Sequence, residues 1–145
     1  MPDKCVPYQP AYAELHAVSN FTFLRGGSHP GELVRQAYAL GYGALAITDE
    51  CSLAGVVRAH TAARECGLKL IIGTELTLVD GTRLVLLATD REGYGGLSAL
   101  ITQGRRRAGK GGYQLARSDL ERELDRCVAV LVPRSKREGK VLIVA

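Results

Sequence analysis

A short apolar run, Ala44-Leu45-Ala46-Ile47, halts at Thr48-Asp49-Glu50-Cys51-Ser52, and an apolar-spaced helical pattern starts at Leu53. A buried strand that ends in carboxylates and hands over to a helix is how α/β folds build sites at the C-terminal ends of their strands. The pattern recurs at Lys69 to Glu75 (KLIIGTE), a second buried run closed by a carboxylate. Upstream, Ala13 to Ser19 (AELHAVS) alternates as a strand and sets Glu14, His16 and Val18 on one face. Strands of this length alternating with helical patterns imply βα units on a mainly parallel sheet.

The connecting segments fit that frame. Asn20 to Ser28 reads as a loop, and Pro30 suits the first turn of a helix capped by Ser28 or His29. Leu33, Val34, Ala37 and Leu40 form its apolar stripe, with Gly41 as the stop. A second helix is expected from about Leu53 to Cys66, with Leu53, Val56, Val57, His60 and Ala63 as its stripe and Gly67 as its end. Leu76 to Leu87 reads as a β-hairpin turning at Asp80-Gly81. Gly93 to Thr102 is expected as a helix, followed by a basic loop from Gln103 to Gly112. Ser118 to Arg126 is a short charged helix with Ser118 and Glu121 at capping-box spacing, and Cys127 to Val132 is a further buried strand.

A complete (β/α) barrel typically needs about 200 residues or more. A chain of 145 residues is therefore expected to hold the first half of one. Residues 1–11, punctuated by Pro2, Pro7 and Pro10, read as an extended lead-in; residues 12–133 form the domain and residues 134–145 an atypical tail. The N-terminus has no apolar signal-peptide core, and no run approaches the ~20 apolar residues that span a bilayer, so a cytoplasmic chain without membrane contact is expected. Cys5, Cys51, Cys66 and Cys127 lack any paired spacing and read as reduced thiols. Charge is uneven: residues 1–102 carry net −2 and residues 103–145 net +6. Such a basic end is either a nucleic-acid-facing surface or a solvated one.

Several blocks together identify a family. They are YAELHAVSNFTFLRGGSHPGELV (Tyr12–Val34), LGYGALAITDECSLAGVVRAHTAAR (Leu40–Arg64), LKLIIGTEL (Leu68–Leu76), LVLLATDREGYGGLSALITQGRR (Leu84–Arg106) and GGYQL (Gly111–Leu115). In these blocks the sequence resembles the N-terminal PHP (polymerase and histidinol phosphatase) domain of bacterial DNA polymerase III α subunits. SNFTFLRG and TDECSLAGVVRAH resemble the error-prone, damage-inducible branch. The resemblance implies a distorted seven-stranded (β/α) barrel, of which this chain is the first half, within a much longer DNA-directed DNA polymerase. The polymerase palm, which holds Mg²⁺, would lie beyond this chain. The resemblance also implies DNA and deoxynucleotides, a sliding clamp and translesion accessory proteins as partners of the parent, and roles in replication and DNA-damage repair. The tail, RSKREGKVLIVA, does not look like the family's continuation; a truncated or frame-shifted reading frame, or a cut fragment, would account for it.

Metal-dependent phosphoesterases of the family gather their ligands at the barrel mouth. Mapped by resemblance, His16 is retained but its H-x-H partner is Val18, and Arg25 stands where an acidic residue or histidine precedes the loop glycines. The T-D-H signature reads Thr48-Asp49-Glu50, Glu75 is retained, and Arg83 replaces a histidine. An arginine keeps its proton and repels a divalent ion. It can instead neutralise Glu75 or Asp49 through a bidentate ion pair.

Two readings of the site stand side by side. His16, Asp49, Glu50 and Glu75 can be metal ligands for one zinc or manganese ion. Alternatively Asp49 caps the neighbouring loop or helix, Glu75 is ion-paired, and the chain needs no cofactor. Arg105, Arg106, Arg107 and Lys110, followed by Tyr113, are candidate DNA-phosphate contacts, or else a solvated loop. His29 reads as a helix cap and His60 as a core histidine. No catalytic residue is assigned. The functions in competition are a polymerase scaffold, a metal-dependent phosphoesterase or 3′–5′ exonuclease, and a DNA- or protein-binding fragment. A half-barrel leaves strand edges and apolar faces uncovered, so the isolated chain is expected to be marginally stable or to self-associate.

Overall fold

A computed structural model describes residues 12–121, 125–133 and 143–144 of the chain. Six strands lie in one sheet in sequence order: β1 (Ala13–Ala17), β2 (Ala44–Ile47), β3 (Lys69–Thr77), β4 (Arg83–Ala88), β5 (Cys127–Val132) and β6 (Ile143–Val144). The first three strands pair in parallel, linked by α1 (Pro30–Ala39) and α2 (Val56–Cys66). The α/β half-barrel expected from the sequence is what forms. Parallel pairing, however, is confined to β1–β3, whereas β3 to β6 pair antiparallel. For β3 and β4 the physical cause is the turn between them, where Leu78 N–H donates to Thr82 O at 2.8 Å and Gly81 takes φ 80°. So tight a connection can only return the chain antiparallel.

Every residue of β2 is buried because both of its faces are covered. Leu45 and Ile47 point outward to Val34 and Ala37 of α1 and Ala59, Ala62 and Ala63 of α2. The opposite, inner face carries Ala46, Val85 and Leu87, with Leu15, Ile71, Val128, Val130 and Val132 half-buried beside them. Leu76, Leu84 and Leu86 pack outward on Leu97 and Leu100 of α3 (Arg91–Arg107) and on Leu115. Gly73 lets β4 approach closely: a Cβ there would lie 2.5 Å from Leu86 O.

The structure corrects several local expectations. His60 and Val57 face solvent, because the buried stripe of α2 is alanine-rich and one position out of phase with them. Leu40 caps α1 and is exposed, leaving Val34 and Ala37 as the buried stripe. His29 is the N-cap residue of α1, its N–H donating to Glu32 Oε2 at 2.8 Å. Helix α3 begins at Arg91, capped by Asp90, which accepts from Gly93 N–H at 2.9 Å. It runs on through Arg105–Arg107, so residues 103–107 of the expected basic loop are helical, where cations suit the negative end of the helix, and residues 108–112 are the loop. Helix α4 covers Arg117–Leu120 and residues 122–124 of the expected helix lie outside the described residues; Asp119, not Ser118, satisfies its first turn by accepting from Ala116 N–H at 2.8 Å.

The expected lead-in, residues 1–11, lies outside the described residues, as does the tail apart from β6. Among the described residues no helix is long and apolar enough to cross a membrane.

Candidate functional site at the barrel mouth

The C-terminal ends of β1, β2 and β3 meet the loop between β1 and α1. Asp49 and Glu50 leave the end of β2 in opposite directions. Asp49, 1% exposed, turns toward that loop and accepts from Ser19 N–H at 2.8 Å, Ser19 Oγ at 2.7 Å and Thr22 Oγ1 at 2.7 Å. Thr22 Oγ1 in turn accepts from Glu50 N–H at 2.9 Å, and Thr74 Oγ1 donates to Asp49 O at 2.7 Å. Asp49 is thus a loop anchor, its two oxygens held by three local donors. Beyond it, Cys51 adopts φ 44°, a left-handed turn that starts the chain toward α2.

Glu75 is the hub of the mouth and is completely buried. Its Oε2 accepts from His16 Nε2 at 2.6 Å, which puts the imidazole proton on Nε2. Arg25 grips the same carboxylate with two nitrogens, Nη1 to Oε1 at 2.7 Å and Nη2 to Oε2 at 3.1 Å. Arg83 Nη2 adds a fork to both oxygens at 3.1 Å each. Burial alone would raise the Glu75 pKa. The hydrogen bonds from His16, Arg25 and Arg83 and the Arg25 charge outweigh it and hold the carboxyl well below the usual range. Arg25 is correspondingly pushed up, chiefly by its bonds to Glu75.

Glu50 completes the ring. It accepts from Arg25 Nη1 at 2.9 Å and from the Tyr113 hydroxyl at 2.9 Å, and that hydroxyl accepts from Thr77 N–H at 2.9 Å. Burial and the Glu50 contact push the Tyr113 phenol up to about 12, against the pull of Thr77. Sequence reasoning placed Tyr113 with the basic segment and missed this role; its only signal was the GGYQL block.

His16, Glu50 and Glu75 therefore converge, whereas Asp49 faces away from them. Among the described residues no group of three or more His, Cys, Asp or Glu side chains is arranged to hold a metal ion. The carboxylate that would lead such a group is ringed by three nitrogen-bearing side chains, two of them permanently cationic.

The basic segment is divided. Arg105 donates to Cys51 O at 3.1 Å and to Gly111 O at 3.2 Å, and lies over the Tyr113 ring at 5.4 Å. Arg107 is paired with Asp119 at 2.6 Å. Arg106 and Lys110 remain exposed. His29 accepts from Asn20 Nδ2 at 2.9 Å, and His60 lies away on the outer face of α2.

Strand-end carboxylates at the mouth of a curled α/β sheet define an architecture, and comparison with known proteins defines the family. The model of the PHP domain matches residues 14–141. This chain belongs to the PHP domain family. The PHP domain here is 64% identical over 123 residues to the error-prone DNA polymerase of Methylococcus capsulatus, covering 84% of this chain and 12% of that protein. It is 62% identical over 142 residues to the error-prone DNA polymerase of Dechloromonas aromatica, covering 92% of this chain and 14% of that one. The chain thus spans a small portion, 12–14%, of the curated relatives it matches.

Among solved structures, a protein of Bifidobacterium adolescentis described as a metal-dependent phosphoesterase shares 30% identity with a TM-score of 0.56, covering 68% of this chain and 34% of that one. An amidohydrolase from Chromobacterium violaceum, solved with sulfate and no metal, shares 28% identity with the same TM-score, covering 66% of this chain and 34% of its own.

Proposed function

We propose that this PHP domain is a metal-independent scaffold region of an error-prone DNA-directed DNA polymerase, with no hydrolytic chemistry of its own. Its relatives in sequence are polymerases many times its length, and the family resemblance assigns the polymerase reaction to a palm beyond this region. In that setting the parent acts in replication and translesion repair of damaged DNA in the cytoplasm. DNA, deoxynucleotides, a sliding clamp and accessory proteins are its partners, and its palm uses Mg²⁺. The observation that carries the scaffold reading is Arg25: its guanidinium occupies the face of Glu75 that a metal would need. Asp49 supports it, since its oxygens hold the β1–α1 loop and face away from His16 and Glu75. A zinc or manganese ion does not fit a donor set so arranged.

Elemental analysis and thermal melting decide the point. Protein purified from cells supplied with manganese and zinc should carry no stoichiometric metal, and chelator should leave its melting temperature unchanged. It should also extend no primer by itself. A stoichiometric metal lost to chelator, with hydrolysis of a phosphoester restored on its return, would favour the second reading, a phosphoesterase or 3′–5′ exonuclease. That reading draws on the Bifidobacterium neighbour and on the retained His16–Glu75 pair. Arg106 and Lys110, exposed on the basic end, are the remaining candidates for DNA-phosphate contact, with Arg105 and Arg107 held by the protein itself.

A further inference from the structure

Helix α3 turns one face to the barrel wall, through Gly93, Leu97, Leu100 and Gly104, and leaves the opposite face open. Tyr94, Ser98, Thr102 and Arg106 follow one another at four-residue spacing and are all exposed, a ridge about 18 Å long. Arg91 stands one turn before Tyr94 on the same face. Two cavities adjoin this ridge. One, of about 760 Å³, runs along α3 from Tyr94 to Arg106 and Arg107. The other, of about 430 Å³, has Val56, Leu70 and Ile72 in its lining, with Lys69 and Arg91 as its cations. Tyr94 lines both, so they form one groove with its ring at the junction.

Charge in the groove has one sign. Among the described residues Lys69, Arg91 and Arg106 form no ion pair. Helix α3 carries no acidic residue after Glu92, and Glu92 is itself paired with Arg126 at 3.4 Å. Asp90 is the carboxylate in the lining among the described residues. It is taken by Gly93 N–H at 2.9 Å and by Arg126 Nη1 at 2.8 Å. Arg107 is likewise neutralised by Asp119. Three unpaired cations remain, with an aromatic ring among them.

That combination selects its ligand. Unpaired cations spread along a groove take the phosphates of a nucleic-acid backbone. An exposed ring among them takes a base, since every base has a π-face to stack. A duplex keeps those faces inside its own stack. We infer that the groove beside α3 binds single-stranded DNA, with phosphates on Lys69, Arg91 and Arg106 and a base on Tyr94. The strand site stands on the groove itself; the choice of DNA over RNA rests on the polymerase reading.

Fluorescence anisotropy tests it on the 145-residue chain. The ligands are a labelled DNA strand of mixed sequence, its duplex and the RNA strand of the same sequence, each at low and raised salt. The DNA strand should bind about tenfold more tightly than the duplex, and at least as tightly as the RNA strand. Tyr94→Ala should lose about tenfold in affinity with its salt dependence unchanged, whereas Tyr94→Phe should bind as the wild type does. Arg91→Ala and Arg106→Ala should each weaken binding and lower the slope of log affinity against log salt by about 0.7. Arg35→Ala removes an exposed cation of α1 outside the groove and should leave that slope unchanged. All of these replace exposed side chains, and circular dichroism should match the wild type.

Absence of strand binding would overturn the site. So would a duplex bound as tightly as the strand, or Tyr94→Ala binding as the wild type does. An Arg35→Ala loss equal to that of Arg106→Ala would also overturn it, marking attraction to net charge alone. Tighter binding of the RNA strand would overturn the choice of DNA. None of these readings turns on the metal content of the mouth, which tests the scaffold reading separately.

Discussion

Arg25 lies edge-on against the buried Glu75 carboxylate, with Nη1–Oε1 at 2.7 Å and Nη2–Oε2 at 3.1 Å. The two residues are fifty positions apart, one on the loop after β1 and the other inside β3. His16 and Arg83 reach the same carboxylate from β1 and β4, so one side chain ties together four segments of the mouth. Bringing a carboxylate out of water is costly, and only complete pairing offsets it. Its donors satisfy both oxygens.

Removing the hub charge should therefore cost more than removing any one of its partners. Glu75→Gln leaves Arg25 and Arg83 facing a neutral amide and should destabilise the domain by about 3–5 kcal/mol. Arg25→Met leaves His16 and Arg83 in place and should cost about 1.5–3 kcal/mol, the range of a charged hydrogen bond. Urea unfolding measures both, and equal losses would contradict the hub arrangement.

Stability should also depend on acid in a defined direction. The Glu75 pKa is depressed on folding from its ordinary value of 4.5, so the unfolded chain takes up its proton first. The stabilisation is present above that value and is lost as pH falls below it. The unfolding midpoint of the wild type should drop toward that of Glu75→Gln between about pH 4.5 and pH 2. A difference that persists undiminished across that range would refute the assignment.

Asp49 should govern loop order rather than chemistry. In Asp49→Asn an NH₂ group replaces one acceptor oxygen and faces a hydroxyl that had been its donor. A loss of about 1–3 kcal/mol is expected. The Ser19 amide, bonded to Asp49 at 2.8 Å, should exchange with deuterium faster than in the wild type. Exchange as slow as the wild type's would show that the loop holds without it.

Neighbouring glycines in the same loop should behave oppositely. A Cβ on Gly26 would lie 1.9 Å from the Ser19 carbonyl oxygen, whereas one on Gly27 would meet nothing within 4 Å. Gly26→Ala should cost about 1–3 kcal/mol by forcing the backbone apart. Gly27→Ala should stay within about 0.5 kcal/mol of the wild type. Comparable thermal melts of the two variants would show that the loop can relax around the added methyl.

Much of the architecture was legible because apolar runs such as Ala44–Ile47 have strand length and stop at polar residues. The pairing of Arg25 was half legible: a guanidinium among carboxylates must find a partner, but Glu75 and Asp49 were equal candidates on charge alone. The loop decided between them, since Ser19 and Thr22 engage both oxygens of Asp49 with three hydrogen bonds while Arg25 reaches Glu75. The direction of β5 was not legible. Its run CVAVLV fits a parallel or an antiparallel neighbour equally, and only its register with β4 distinguishes them. The outward turn of His60 was hidden because alanines, weak hydrophobic markers, form the buried face of α2. Tyr113 was hidden for a different reason, since its partners Glu50 and Thr77 lie on distant segments.

The cation at Glu75 is part of the polypeptide. A dissociable ion fills its site according to its free concentration and dissociation constant, so stability built on one rises and falls with supply. The Arg25 guanidinium is tethered beside its carboxylate at a fixed effective concentration. The cationic partner that Arg25 gives Glu75 is consequently written into the gene and follows no outside pool.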